Sequence, residues 1–392
     1  MGGLALGIVA AFSDYFLATQ WTPVVLLVLL LALLLLRPTG LGGDQGNTTE
    51  NDGLVGPLRR ARPGRAALIV GCGALLAYPL LDTLFGWQQV LIVTILLIYA
   101  IGAIGLNLVL GYAGLLDLGY GASFALGAYL AGLLLGGPLV QWLGSTPDFL
   151  LVLISCAVFA GIFGMLNALV TRRLRGEYLA IATIAFGQII YQLSLNLSNW
   201  TGGTAGIAAL PAPRLLGFTA NTPTARYYLV AGVLALALLI SLRLRQSRIG
   251  RAWAAQGMDE SAAASIGIDI WRARATAFVL GGALAGVAGA LLAGTLSYVD
   301  PTQSEFRISA MFLAMVTIGG GGSAIGAAIG AVVVAGYDLI GIPWLGAWAA
   351  ELARDPRYWM IGLLDLRGIS YLSFGLALYL TIRVRARRVK HE

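Results

Sequence analysis

The chain has 392 residues, of which 58% are hydrophobic and only 11% charged, whereas soluble domains carry about 25% charged residues. The mean hydropathy is +0.84, and the 53 glycines suit closely packed spanning helices. The net charge of +7 comes almost wholly from arginines beside apolar runs, which is a topogenic pattern. The composition therefore indicates a membrane protein and argues against a soluble domain or a nucleic-acid-binding protein.

Apolar runs that could cross a bilayer follow one another along most of the chain, since a span needs about 20 apolar residues. In chain order the runs are 23–36, 66–82, 88–110, 115–135, 149–170, 178–197, 226–242, 275–297, 306–319, 324–341 and 369–382, with a partial run at 2–12. We predict an all-α, polytopic membrane bundle of about 10 or 11 spans. The short runs 306–319 and 324–341 leave a partly re-entrant pair open.

The basic residues predict the orientation. If the loop before residue 66 is cytosolic, strict alternation places most of the 25 Lys and Arg residues in cytosolic loops. The other side keeps Arg214, Arg226, Arg307, Arg354, Arg357 and Arg367. Because cytoplasmic loops carry an excess of Lys and Arg, we predict a multi-pass protein of a prokaryotic plasma (inner) membrane with a cytosolic C-terminus.

Few residues could carry covalent chemistry. The single histidine, His391, lies in a polar tail, and the two cysteines, Cys72 and Cys156, lie in predicted spans and give no metal spacing. No phosphate-binding G-x-x-x-x-G-K-[ST] motif occurs, and the run Gly319–Gly322 reads as a tight turn between helices. We therefore expect no catalytic residue, no metal site and no cofactor.

The polar segment between the runs 226–242 and 275–297 contains the spacing E-x-A-A-x-x-x-G. Small residues with one acid on a short cytosolic helix form a surface that another protein can bind. This spacing resembles the loop by which permease subunits of ABC importers dock onto their ATP-hydrolysing subunits. An ordinary amphipathic loop helix is the alternative. The candidate docking residues are Asp259, Glu260, Ala262, Ala263 and Gly267.

Four ordered blocks resemble the branched-chain amino acid permease family, in its LivM-type subunits. The first is Gly105–Tyr129, and the second is Arg175–Gly206, which reads R-G-E-Y-L-A-I, then F-G, then T-G-G-x-x-G-I. The third is the docking segment with Gly250 and Arg251, and the fourth is Ala314–Gly330. The resemblance covers roughly 66–382. The family pattern is lost near the end, where 355–367 looks inserted.

Four regions are predicted. Residues 1–43 resemble the closing part of a LivH-type partner permease, because 3–14 can be laid without gaps on 326–337 and an apolar run ending RPTGLGG follows. A simple anchor helix is the alternative. Residues 44–65 form a flexible, basic cytosolic linker, 66–382 the permease core, and 383–392 a basic cytosolic tail.

Glycine-rich starts of two spans are the places where broken helices are expected, since irregular backbone in a membrane must be covered by protein or water. The N-terminus of a half-helix presents free N–H groups that suit a carboxylate. Asp117 and Glu177 lie near predicted cytosolic ends, where helix capping or an ion pair with a nearby arginine is the favoured alternative. The pathway candidates are Gly111, Gly114, Asp117, Gly119, Gly121, Thr201, Gly202, Gly203 and Gly206.

The resemblance implies a permease subunit of an ATP-driven importer for branched-chain or other neutral amino acids. It also implies a LivH-like second permease, two ATP-binding subunits and an extracytoplasmic substrate-binding protein, with membrane lipid around the spans. Relatives that carry urea or short amides are the alternative substrate class. A secondary transporter without an ATPase is the competing class, and it has no reason to hold the docking spacing in a cytosolic loop.

Overall fold

The structure is a computed structural model that describes residues 13–14, 19–36, 65–174, 176–215 and 217–352. The predicted runs 2–12 and 369–382, the linker and the basic tail fall outside these residues, apart from Arg65. The helices before the central loop are α1 (Thr22–Leu36), α2 (Arg65–Phe85), α3 (Val90–Leu106), α4 (Tyr120–Leu135), α5 (Pro138–Leu143), α6 (Phe149–Val170), α7 (Gly176–Asn196) and α8 (Ser198–Thr201).

The second half of the chain begins with a small hairpin of β1 (Arg214–Leu215) and β2 (Phe218–Thr219), which pair antiparallel. The remaining helices are α9 (Pro223–Gln246), α10 (Arg248–Met258), α11 (Glu260–Ser265), α12 (Ile270–Leu296), α13 (Phe306–Gly319), α14 (Ala324–Gly336) and α15 (Ile342–Leu352). The π-helical stretch Asn107–Tyr112 extends α3, and Tyr337–Gly341 joins α14 to α15.

The predicted helical membrane bundle is confirmed. Six helical segments in the described part of the chain are long and apolar enough to cross a membrane, and four more are shorter and apolar. The prediction 149–170 matches α6 residue for residue. The segment that starts at Ala324 runs on to Trp348 and is therefore longer than the predicted 324–341.

Helix α12 lies at the centre of the bundle, where it packs against α3, α4 and α6. Small residues line these contacts and let the backbones approach closely, as is usual for helices packed within membranes. Gly127 of α4 lies directly against Gly286 of α12, and a Cβ on Gly289 would overlap the Phe124 carbonyl. The high glycine content is thus used for helix packing.

Helix α1 packs against α7, and Asn196 donates a hydrogen bond to the Gln20 carbonyl at 2.7 Å. The N-terminal run therefore lies on the bundle surface formed by α7. Whether residues 1–43 are the remnant of a partner permease stays a prediction.

Two helices begin in the interior of the bundle. The Tyr120 hydroxyl, at the start of α4, donates to the carbonyls of Gly102 and Gly281 at 2.7 and 3.2 Å. Gly281 lies about 17 Å from the start of α12, because each residue of a helix adds 1.5 Å to its length. Gly121 N–H donates to Ser309 Oγ at 2.8 Å, so α13 also starts near this depth. We call this meeting point of 113–121 with 305–309 the interior junction.

The connection 297–305 leads from the end of α12 to the start of α13 beside Gly121. Whether the pair 306–319 and 324–341 is partly re-entrant stays a prediction. The start of α13 also changes the interpretation of Arg307, which was counted in an outer loop. Arg307 belongs to the first turn of α13 and forms an ion pair with Asp338 at 3.6 Å.

The orientation can be tested with cysteine labelling at two exposed positions, Asn221 in the loop after β2 and Ser265 in α11. In a chain with Cys72 and Cys156 replaced, an impermeant maleimide should label Asn221→Cys in intact cells and leave Ser265→Cys unlabelled. Both positions should react once the membrane is permeabilised, which controls for accessibility. Labelling of Ser265→Cys alone in intact cells would reverse the predicted orientation.

Candidate functional site

The candidate docking residues lie in and beside a short helix, α11, which follows α10 directly. Asp259 caps α11, because its carboxylate accepts hydrogen bonds from the N–H groups of Ser261 and Ala262 at 2.7 and 3.0 Å. Gly267 ends the helix with φ +86°, a conformation that favours glycine. The E-x-A-A-x-x-x-G spacing is therefore a short capped helix.

The outward face of α11 is small and partly apolar. Ser261, Ala262, Ala264 and Ser265 are exposed, whereas Ala263 is only 2% exposed and anchors the helix. Met258 and Ile266 flank the helix with 76% and 74% of their surface exposed. Sequence reasoning missed these two residues, although two large apolar side chains in an otherwise polar loop are a visible signal.

Glu260 differs from the expectation of a surface acid. Its side chain is 25% exposed and lies 3.5 Å from Arg274 Nη2, in the first turns of α12. The acid of the spacing therefore contacts a residue of its own chain, and the exposed part of α11 consists mainly of small residues.

Helix α10 connects α11 to the interior of the bundle. Gly257 lies against Gly114, since a Cβ on Gly114 would approach the Gly257 Cα to 3.0 Å. The buried Trp253 donates from Nε1 to the Ala273 carbonyl at 2.9 Å. The docking segment thus touches the connection that leads to the interior junction.

Several pathway candidates meet at the interior junction. Leu118 N–H donates to Thr183 Oγ1 at 3.0 Å, and the Asp117 carboxylate accepts from Gly119 N–H at 3.0 Å. Asp117 is buried in the connection between α3 and α4. Whether Asp117 takes part in the pathway or only in local hydrogen bonding stays a prediction, and the Glu177 side chain lies outside the described residues.

The glycine candidates have packing or turn functions in this conformation. A Cβ on Gly119 would overlap the Thr183 carbonyl, and one on Gly206 would overlap the Val299 carbonyl. Gly114, Gly202 and Gly203 have positive φ values of +70°, +76° and +59°. Gly111 lies beside Asn107, whose Oδ1 accepts from Gly322 N–H at 2.8 Å. Valine at these positions would therefore disturb folding before it could test transport.

The second set of pathway candidates, Thr201–Gly206, contacts the connection 297–305. Ile207 and Val299 exchange two backbone hydrogen bonds of 3.1 and 2.9 Å, and Thr201 donates to the Ser194 carbonyl at 2.7 Å. The connection 297–305 thus touches Gly206 at one end and Gly121 at the other. This connection was missed by sequence reasoning, which treated it as an outer loop.

Glu305 precedes α13 and lies at the interior junction. Its side chain forms no capping bond to α13, and Tyr191 donates to its Oε1 at 3.4 Å. Two polar atoms beside it, Gln303 Oε1 and Ser304 Oγ, are buried without a hydrogen-bond partner among the described residues. Within the described ranges, no group of His, Cys, Asp and Glu side chains could hold a metal ion.

Comparison with known proteins identifies relatives. Residues 89–364 match the family model described as branched-chain amino acid transport system / permease component. The chain is 37% identical over 270 residues to the high-affinity branched-chain amino acid transport system permease protein LivM of Salmonella typhimurium, and 38% identical over 267 residues to that of Escherichia coli. Each alignment covers 62% of this chain and 61% of the relative.

The chain therefore spans about three fifths of the length of these relatives. It also resembles the permease protein LivH of Salmonella typhimurium, with 28% identity over 60% of this chain and 79% of the relative. No solved structure matches the chain.

Ile266→Glu should weaken binding of an ATP-binding subunit at least tenfold, or about 1.4 kcal/mol, because it places a charge in the exposed apolar face of α11. Co-purification from membranes measures this loss. Phe218→Glu is the matched control, since Phe218 is 83% exposed and lies on the predicted outer side. Equal retention of the ATP-binding subunit in both variants would contradict docking at α11.

Proposed function

This chain belongs to the family of branched-chain amino acid transport permease components, and on that premise we propose that it is a permease subunit of an ATP-driven ABC importer. The proposed substrates are branched-chain or other neutral amino acids. The observation that carries the proposal is the contact of the docking segment with the interior junction through Gly257 and Gly114. A surface for an ATP-binding subunit and a candidate pathway are thereby joined in one chain.

The proposed cycle begins outside, where a substrate-binding protein delivers the solute. Closure of two ATP-binding subunits then pulls on Asp259–Gly267 and changes the balance between outward-open and inward-open states, because the bound nucleotide favours one of them. ATP hydrolysis takes place on these subunits, so this chain is a transport subunit and not an enzyme. The chain is a multi-pass inner-membrane protein, and we place its C-terminus in the cytosol.

A second permease subunit completes the proposed pathway. The relatives include both LivM and LivH proteins, so two permeases of one family would form the two halves of the assembly. Each half would offer one docking element to one ATP-binding subunit. This arrangement accounts for two ATP-binding subunits in the complex.

The interior junction is the proposed place where the solute passes. The starts of α4 and α13 meet there, and the N-terminal end of a helix favours the carboxylate of an amino acid. Glu305 adds a partly buried carboxylate beside Tyr191 in a membrane bundle, where an ionisable residue is a candidate functional residue. This carboxylate suits the ammonium group of an amino acid. Urea carries neither an ammonium nor a carboxylate group.

Labelled leucine and labelled urea distinguish the two substrate classes. The assembled transporter in proteoliposomes should take up leucine and not urea, and uptake should stop when the ATP-binding subunits are omitted. Urea uptake would favour the short-amide alternative. Leucine uptake without ATP-binding subunits would favour a secondary transporter.

Glu305→Gln should lower leucine uptake at least tenfold, or about 1.4 kcal/mol, since it removes the proposed counter-charge for the ammonium group. Asp300→Asn is the matched control on the same connection, because Asp300 only caps the turn by accepting from Thr302 N–H at 2.8 Å. Asparagine keeps that acceptor, so uptake should persist. Equal uptake by Glu305→Gln and wild type would remove Glu305 from the pathway.

A further inference from the structure

Arg274 is a buried cation at the cytosolic end of α12, with only 3% of its surface exposed. Its Nη1 donates to the carbonyls of Thr171, Arg172 and Leu174 at 3.0, 3.2 and 3.0 Å. Its Nη2 lies 3.5 Å from Glu260 Oε1. One guanidinium therefore connects the first residue of α11 to the turn 171–174.

The turn 171–174 closes the C-terminal end of α6. Thr171 is the C-cap residue of α6, and both its N–H and its hydroxyl donate to the Asn167 carbonyl. Carbonyls at a helix C-terminus lack partners within the helix and carry partial negative charge, so a cation is favoured there. A planar guanidinium can bind these carbonyls and a carboxylate together, whereas a lysine ammonium on a flexible stem has no such fixed fork.

A second contact joins the same two elements. The Arg172 guanidinium lies 5.2 Å from the centre of the Trp271 ring, a cation–π geometry. Arg172, Glu260, Ile270, Trp271 and Arg274 line a cleft of about 190 Å³ between α11, the start of α12 and the turn. The Arg274 side chain joins the two walls of this cleft.

We propose that Arg274 is a positioning residue that couples the docking helix α11 to α7, an inference that rests on the proposed docking role of α11. Helix α7 begins at Gly176, two residues after Leu174, and a shift of the turn therefore reaches its N-terminus. Thr183 of α7 holds Leu118 N–H at 3.0 Å and lies against Gly119 at the interior junction. A displacement of α11 passes through Arg274 to the turn, then through α7 to the start of α4.

A purely structural role for Arg274 predicts something different. An arginine that only closes the end of α6 needs the three carbonyls and does not need Glu260. Glu260→Gln leaves the carbonyl contacts in place and removes the charge partner, so it separates the two roles.

The test measures leucine taken up per ATP hydrolysed by the assembled transporter in proteoliposomes. Arg274→Lys and Glu260→Gln should each lower this ratio at least about fivefold, the lower end of typical coupling effects. The double variant should be no worse than Arg274→Lys alone, because both changes break one connection. Arg272→Lys is the matched control, since exposed Arg272 pairs locally with Asp269 at 3.0 Å, and its ratio should equal that of the wild type.

An unchanged ratio in Glu260→Gln would overturn the proposal, even if Arg274→Lys failed to accumulate in the membrane. If Ile266→Glu loses the ATP-binding subunits and Glu260→Gln keeps the wild-type ratio, the docking role of α11 is supported. Only the coupling through Arg274 is then rejected. Retention of these subunits by Ile266→Glu would instead reject the docking role itself.

A distance measurement tests the coupling without any solute. Spin labels at the exposed positions 173 and 265, introduced as Arg173→Cys and Ser265→Cys with Cys72 and Cys156 replaced, report the separation of the turn from α11. The wild-type background should keep one narrow distance with and without nucleotide. Glu260→Gln should broaden the distribution, and an identical distribution in both backgrounds would contradict the coupling.

Discussion

The need to satisfy every backbone polar group inside a membrane shapes this bundle. In lipid, an unpaired N–H or C=O costs several kcal/mol, so irregular backbone is tolerated only where protein or water covers it. Helix α4 begins in the interior, and neighbouring side chains cover its start. Thr183 accepts from Leu118 N–H, and Ser309 accepts from Gly121 N–H. Two hydroxyls thus replace hydrogen bonds that continuous helices would have made.

The same constraint explains why glycines surround the interior junction. A backbone that must reach a neighbour's hydroxyl has no room for side chains, and Gly119 lies directly against the Thr183 carbonyl. Close packing also means that small movements are not absorbed locally but passed on by whole helices. The helices that reach the predicted cytosolic side from this region, α7 and α10, are therefore the elements through which the proposed docking would act.

Helix positions could be predicted from the sequence because apolar runs end at polar or turn residues, as at Asp148, which caps α6. The start of α4 could not be predicted. The predicted span began at 115, because Leu115 and Leu116 look like part of a helix, but the chain stays irregular to Gly119. The interior end of the connection 297–305 was also missed, since Glu305 and Arg307 suggest an outer loop by charge alone. Their partly buried positions depend on Tyr191 and Asp338, which are distant in sequence.

The E-x-A-A-x-x-x-G spacing also shows which features the sequence could not predict. Its regular pattern predicted the short helix, whereas the cap at Asp259 is a finding of the structure. It could not predict that Glu260 reaches Arg274, because basic residues near apolar runs first suggest membrane orientation. An acid in the first turn of α11 is favoured by the helix dipole, and the buried cation beside it fixes its direction. The acid therefore sets how α11 lies on the bundle, while the small residues and Ile266 provide the surface that a partner can bind.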